Sequence, residues 1–168
     1  MHRVLIALGG NLPSWAGPPR ATLEAALAAL EDAGVRVRAK SSWYASAPVP
    51  ASDQPWYVNG VVAAETELGP EALLEVLHGI EAAFGRARGE KDGARTLDLD
   101  LLAHGDRVEA TKNPLLPHPR LHERAFVMVP LAEIAPEWRH PTLNRTAAEI
   151  LAAIPADPEV LTRLPSTA

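Results

Sequence analysis

Two aspartates separated by one residue are the clearest chemical feature of the sequence. Asp98 and Asp100 alternate with leucines within residues 97–102. Successive side chains of a β-strand point to opposite faces, so both carboxylates lie on one face and the leucines on the other. Neighbouring carboxylates repel each other unless a cation lies between them. Mg²⁺ is typically held by one or two carboxylates together with water and substrate phosphates, so we predict a magnesium site on this strand.

A basic stretch with several glycines, residues 85–95, precedes the two aspartates. Cationic side chains here would bind phosphate groups, and arginine does so through two parallel hydrogen bonds. The four cationic residues are Arg86, Arg88, Lys91 and Arg95. The alternative is an edge strand whose aspartates are only hydrated, beside a loop whose charges only maintain solubility. The spacing Arg-x-x-Asp-x-Asp, the glycines and the leucines occur together, which favours a phosphate and metal site.

Length and composition limit the classes of protein to consider. The chain has 168 residues, of which 47% are hydrophobic, and this suits a single domain spanning residues 1–168. It contains no cysteine, which excludes disulfides and thiolate metal sites and agrees with a cytoplasmic location. The net charge of -5 disfavours nucleic acid or an anionic membrane as a partner. We expect a monomer that binds a small anionic ligand.

Hydrophobic periodicity predicts strands in alternation with helices. The first strand ends at Gly9-Gly10-Asn11, which we interpret as a strand-to-helix turn because it lacks the Lys-Ser/Thr of a phosphate-binding loop. Gly105 and Asp106 are predicted to form a hairpin turn into residues 107–110, and residues 158–168 a tail. The predicted strands are residues 4–8, 35–47, 57–68 and 97–102, and the predicted helices are residues 21–33, 71–84, 127–135 and 146–154.

This order of elements, β-α-β-β-α-β, is typical of a ferredoxin-like α+β sandwich with a mainly antiparallel sheet. The last two predicted helices are additions at the C-terminus. Such a fold supports many functions, so the function must be inferred from the site.

Residues 91–102 resemble the signature of the 6-hydroxymethyl-7,8-dihydropterin pyrophosphokinase family. Residues 116–126 resemble its second signature, Pro-His followed by Arg-x-Phe, and residues 53–59 resemble its pterin-binding half. The resemblance extends over nearly the whole chain. It implies transfer of a diphosphate from ATP to the hydroxymethyl group of 6-hydroxymethyl-7,8-dihydropterin, with AMP as the other product, in folate biosynthesis.

The resemblance also implies roles for the residues at matching positions, with two Mg²⁺ ions bound by Asp98 and Asp100. The implied catalytic residues are Arg86, Arg95, Asp98 and Asp100. The implied ATP-binding residues are His78, Glu81, Arg88, Lys91, Leu101, His118 and Arg124. The implied pterin-binding residues are Ser46, Ala47, Val49, Tyr57, Asn59, Asp98 and Phe126.

The chemistry of these residues leaves alternatives open. Tyr57 and Asn59 share a strand face, where a ring for stacking and an amide with donor and acceptor suit a pterin, although Tyr57 alone could equally belong to a core. His78 and Glu81, taken as isolated residues, would be solvated positions on a helix. Zinc is disfavoured because the histidines lack His-Glu-x-x-His spacing and a cysteine partner.

Two other functions fit part of the sequence. A non-catalytic nucleotide-binding or regulatory domain would not need both Asp98 and Asp100. A Mg²⁺-dependent nucleotide hydrolase would use water as the acceptor, and water does not require the set of Tyr57, Asn59 and Phe126. Both remain alternatives to the pyrophosphokinase.

Overall fold

The computed structural model describes residues 1–47, 53, 55–85, 95–155 and 161–165. None of the helices in these ranges has the length and apolar character needed to cross a membrane. The elements in chain order are β1 (His2–Gly10), α1 (Pro19–Asp32), β2 (Arg36–Lys40), β3 (Tyr44–Ser46), β4 (Tyr57–Thr66), α2 (Pro70–Ala83), β5 (Asp98–His104), a 3₁₀ turn (Leu121–Glu123), α3 (Ala125–Ile134), α4 (Ala147–Ala153) and β6 (Leu161–Arg163).

The described strands form one sheet in the order β5-β1-β4-β3-β6, and β2 also pairs with β4. Every pairing among them is antiparallel. Strand β1 lies between β5 and β4 and is buried along most of its length. The α+β prediction with a mainly antiparallel sheet is therefore confirmed.

Apolar side chains form a core on each face of the sheet. On one face, Val4, Ile6 and Leu8 of β1 pack with leucines of α1 and α2. On the other face, Leu5 and Val61 pack with residues of α3 and α4. Burying one such side chain completely stabilises the fold by about 1.5–3 kcal/mol. The larger apolar side chains that the helices bury include Leu23, Leu30, Leu73, Leu77, Met128, Leu131 and Ile150.

The segment predicted as one strand over residues 35–47 is two strands, β2 and β3, separated by residues 41–43. The backbone N–H of Val61 donates to Ser41 Oγ at 2.9 Å, so a hydroxyl replaces a backbone acceptor of the ladder. Trp43 then lies across Gly60, where a Cβ atom would overlap the indole ring. The polar side chain and the large ring together interrupt the strand.

Two predictions for the second half of the chain are wrong. The segment predicted as a tail includes β6, which pairs with β3 and covers a sheet edge that would otherwise be open. The turn at Gly105 does not begin a hairpin with β5, because Glu109 forms an isolated bridge with Leu116 instead. The C-terminal helix α4 begins after Thr146, which forms a capping box with Glu149.

Candidate active site

The two aspartates predicted to bind metal lie on the edge strand β5. The alternating leucines of this segment are buried against α1 and α2, whereas Asp98 and Asp100 are half-buried. Asp98 lies opposite Gly9 of β1, and Asp100 lies opposite Ala7. Directly opposed residues point to the same face of a sheet, and Ala7 packs in the core with α3. Both carboxylates therefore lie on the α3 face, which confirms that they share one face away from the leucines.

Gly9 separates Asp98 from Asn59 across this face. It lies opposite Asn59 of β4 on one side and Asp98 of β5 on the other. A Cβ atom at Gly9 would lie 3.0 Å from Asn59 Oδ1, closer than an ordinary contact. Because Gly9 has no side chain, the Asn59 amide lies directly against the backbone of β1, on the same face as Asp98, where one ligand could contact both the amide and the carboxylate.

Strands β3 and β4 bring together the residues predicted to bind the pterin. Asn59 is 7% exposed, and its Nδ2 donates to Ser46 Oγ at 2.6 Å. Tyr57 lies opposite Ser46 and is half-buried, so its ring shares the face of Asn59, as predicted. Ala47 follows directly after β3, while Val49 lies outside the described residues. The contacts of these residues with a pterin stay predictions.

Glu81 supports β5 from helix α2. Its side chain is 3% exposed, and Oε2 accepts a hydrogen bond from the backbone N of Leu99 at 2.8 Å. The carboxylate thus satisfies a backbone donor between the two aspartates, on the edge strand. The alternative of a solvated helix position is therefore wrong for Glu81. His78 is exposed, which agrees with that alternative. Leu101 is 4% exposed in the core, and contacts of all three with ATP stay predictions.

His118 interacts electrostatically with Asp98 and Arg124. Its backbone N donates to Leu102 O at 2.8 Å, which attaches this segment to β5. Burial first, and then the charge of Arg124, lower the pKa of His118 to about 4, while Asp98 acts in the opposite direction. The backbone N–H of Arg120 donates to His118 Nδ1 at 3.2 Å, so the neutral ring carries its proton on Nε2. His118 is therefore a neutral hydrogen-bond donor near pH 7.

Arg124 and Phe126 are in contact at the beginning of α3. The guanidinium carbon of Arg124 lies 5.5 Å from the centroid of the Phe126 ring, and both side chains are half-buried. A cation–π contact of this kind contributes about 0.5–1 kcal/mol at an exposed site. A residue predicted to bind phosphate thus lies next to the ring predicted to cover the pterin.

A connection that local sequence patterns do not predict joins the end of β1 to Arg95, three residues before β5. Backbone N–H groups of Asn11 and Leu12 donate to Arg95 O at 2.9 and 3.0 Å, and Arg95 N donates to Asn11 Oδ1 at 2.8 Å. A Cβ atom at Gly10 would lie 2.6 Å from Thr96 O, so only glycine allows this approach. Gly-Gly-Asn is therefore a turn and also the point where the segment before β5 packs against β1. The two adjacent glycines are the feature of the sequence that could have indicated this close packing.

The basic stretch lies mostly outside the described residues. This applies to Arg86, Arg88 and Lys91, whose predicted contacts with phosphate stay predictions. Before the stretch, the exposed indole of Trp15 stacks on Phe84 with ring centroids 5.0 Å apart. Its Nε1 also donates to the carbonyl oxygen of Ala83 at 3.0 Å.

The donor set of β5 fits Mg²⁺ in one respect that can be tested from the structure. Asp98 and Asp100 supply hard oxygen ligands from one face of the strand. Mg²⁺ is usually held by one or two carboxylates together with water and substrate phosphates, so the chemistry of this pair fits the ion. The described residues contain no group of three or more His, Cys, Asp or Glu side chains that could hold a metal ion.

A comparison with known families identifies the relationship. The sequence model of the 7,8-dihydro-6-hydroxymethylpterin-pyrophosphokinase (HPPK) family matches residues 5–136. The chain belongs to this family. A Synechocystis sp. protein named 2-amino-4-hydroxy-6-hydroxymethyldihydropteridine pyrophosphokinase is 44% identical over 151 residues, which are 89% of this chain and 75% of that protein. A Pseudomonas aeruginosa protein of the same name is 43% identical over 166 residues, or 98% of each chain.

Solved structures of the HPPK family share the fold. The wild-type Plasmodium falciparum HPPK-DHPS crystallised with pteroate superposes with a TM-score of 0.70 at 13% identity, over 90% of this chain and 44% of that chain. A triple mutant of the same protein gives a TM-score of 0.68 at 15% identity. The present chain spans less than half of these longer chains, and at such identity the likeness concerns the fold alone.

Proposed function

We propose that the protein transfers a diphosphate from ATP to the hydroxymethyl group of 6-hydroxymethyl-7,8-dihydropterin and releases AMP. Membership of the HPPK family and the names of its relatives support this reaction. The single observation that carries the proposal is the arrangement on the α3 face of the sheet. There Asp98 of the acidic pair on β5 and the buried amide of Asn59 on β4 lie on either side of Gly9.

The pterin would lie beside Gly9 on the part of the face formed by β3 and β4. Ser46 accepts one N–H of the Asn59 amide, which fixes the orientation of that amide for recognition of the polar pterin edge. Tyr57 and Phe126 would stack on the two faces of the ring. A site that recognises polar groups in this way would reject analogues that lack the matching groups, because those analogues could not form the hydrogen bonds that it offers.

The phosphates of ATP would lie on the part of the face formed by β5 and the beginning of α3. His118 would donate its Nε2 proton to a phosphate oxygen without adding a charge, and Arg124 would supply the charge. Arg95, Arg86, Arg88 and Lys91 would balance further charge on the transferring group. Glu81 would hold the backbone between the two aspartates in place.

Two Mg²⁺ ions held by Asp98 and Asp100 would neutralise phosphate charge and lower the pKa of the acceptor hydroxyl. The two carboxylates share one face because of the strand period, so a single short segment presents both to the same ligand. Their half-buried position keeps them accessible from the α3 face. The chain would thus contribute to this step by positioning and orienting the two carboxylates.

The test is to incubate the protein with ATP, Mg²⁺ and the pterin and to separate the nucleotides by chromatography. We expect AMP only when the pterin is present. Nucleotide hydrolysis without the pterin would instead indicate the hydrolase, and ATP binding without turnover would indicate the non-catalytic domain. Asp98→Asn is the matched variant, because it keeps the side-chain shape and removes the charge.

We further propose a cytoplasmic location and a single domain spanning residues 1–168. The cysteine-free composition supports the location, since disulfides would be expected more often in an oxidising compartment. The shared sheet, with a core on each face, supports the single domain. The monomeric state and the absence of a nucleic-acid partner stay predictions from the sequence.

A further inference from the structure

Asn11 joins two parts of the chain that are far apart in sequence. Its side chain is 1% exposed at the end of β1. Nδ2 donates to the backbone O of Pro55 at 3.1 Å, and Oδ1 accepts from the backbone N of Arg95 at 2.8 Å. One amide therefore bridges residues that lie 44 and 84 positions away along the chain.

The two partners of this amide lie just before the two strands that form the proposed active site, β4 and β5. Pro55 lies two residues before Tyr57, at the beginning of the strand that carries the proposed pterin contacts. Arg95 lies three residues before Asp98, at the beginning of the strand that carries the acidic pair. Both bonds go to backbone atoms, so they hold the path of the chain and not only one side chain.

Only an amide suits this position well. The side chain must donate in one direction and accept in the other, and at 1% exposure water cannot easily replace either partner. Aspartate keeps the acceptor for Arg95 N but loses the donor for Pro55 O. Alanine loses both. The two substitutions therefore remove the two bonds in different combinations.

We propose that Asn11 is a positioning residue that holds the pterin half and the phosphate half of the active site at a fixed separation. This inference rests on the proposed function, because it assumes that the strand after Pro55 binds the pterin and the strand after Arg95 binds the phosphates. The donor of the amide serves the first half and the acceptor serves the second. Asn11 itself contacts neither substrate in this proposal.

The test compares Asn11→Asp and Asn11→Ala with the wild-type protein. Calorimetric titration measures the Kd of the pterin and the Kd of a nonhydrolysable ATP analogue with Mg²⁺, each separately. For Asn11→Asp we expect the pterin Kd to rise about tenfold or more, as for loss of a buried hydrogen bond, with a clearly smaller rise for the analogue. For Asn11→Ala we expect both to rise, together with a fall in kcat.

Thr66→Val is the control for an effect on stability alone. Thr66 is 1% exposed at the far end of β4, and its hydroxyl accepts a hydrogen bond from Leu68 N at 3.1 Å. Valine keeps the shape and removes the bond. We expect this variant to unfold at a lower temperature but to keep wild-type Kd values and kcat when assayed well below that temperature. A positioning role of Asn11 predicts that ligand affinities change in the Asn11 variants even while they are folded. A purely structural role predicts no such change.

The outcomes separate this inference from the proposed function. If the wild-type protein forms no AMP, the proposed function is wrong and the inference falls with it. If the wild type is active and Asn11→Asp keeps both Kd values within twofold, or loses more affinity for the analogue than for the pterin, the inference alone is overturned. Asn11→Asp preserves the side-chain volume, so it decides the question if Asn11→Ala does not fold.

Discussion

A methyl group at Gly10 is the smallest change that tests how β5 is held. Gly10 is the last residue of β1, and Thr96 passes over it two residues before Asp98. In Gly10→Ala the new Cβ atom would lie 2.6 Å from Thr96 O, whereas an ordinary contact begins at 3.4 Å. The neighbour is backbone and cannot rotate away, so the chain at Thr96 must move.

The size of the effect follows from this distance. Relief of the clash requires a shift of about 0.4–0.8 Å between β1 and the residues before β5. Overpacking of this kind usually costs about 1–3 kcal/mol of unfolding free energy, which corresponds to about 2–12 °C in Tm for a chain of this length. A misplacement approaching 1 Å also reduces turnover by about a hundredfold, because Asp98 would be displaced.

Gly79→Ala provides a matched control. Gly79 lies within α2, and a Cβ atom there would have nothing within 4 Å. Alanine in a helix interior is favoured over glycine by about 0.5–1 kcal/mol, so we expect a rise in Tm with unchanged turnover. Urea unfolding and AMP formation are measured for both variants. Wild-type stability and turnover in Gly10→Ala would refute the argument that close packing at Thr96 positions Asp98.

Three further predictions concern the proposed roles. Asp98→Asn should reduce AMP formation on the order of a thousandfold, because charge stabilisation by a metal is worth several kcal/mol; near-normal AMP formation would remove Asp98 from the metal site. Asn59→Ala should weaken pterin binding more than binding of an ATP analogue in calorimetric titrations, and equal losses would contradict its proposed contact. The pKa of His118 is lowered from 6.5 to about 4, so its contribution to stability is complete above about pH 6.5 and is lost as the pH falls towards 4. Urea unfolding at pH 7 and pH 4.5 should show a smaller loss of stability for His118→Gln than for the wild type, and equal losses would show that His118 is not the titrating group.

The sequence predicted those features that depend on a short period along the chain. Alternation of leucine and aspartate indicated which face of β5 carries Asp98 and Asp100, and the burial of the leucines agrees. The two-residue period of a strand likewise predicted that Tyr57 and Asn59 share one face of β4. Strand period is a local property of the backbone, so it can be read without knowing the partner strands.

The features that were missed depend on contacts between distant residues. A strand over residues 35–47 was predicted because its pattern alternates, but the Ser41 hydroxyl and the Trp43 ring interrupt it through contacts with β4. Glu81 reads as a surface position on α2 until β5 is placed beside it. The role of Asn11 requires both Pro55 and Arg95 to be in place. No local pattern contains this information.

The approach of Asn59 to the face that carries Asp98 depends on Gly9 as much as on the strand pairing. A Cβ atom at this position of β1 would lie 3.0 Å from Asn59 Oδ1, because residues opposite each other across a sheet share a face. Further along β1, Leu5 packs in the core that includes α3 and α4. The same strand therefore contributes to a core at one end and lies under the proposed substrate site at the other. Because β1 pairs with β4 and β5 at Gly9, the backbone under the site is held by ladder hydrogen bonds on both sides, which suits a reaction that depends on the position of two substrates.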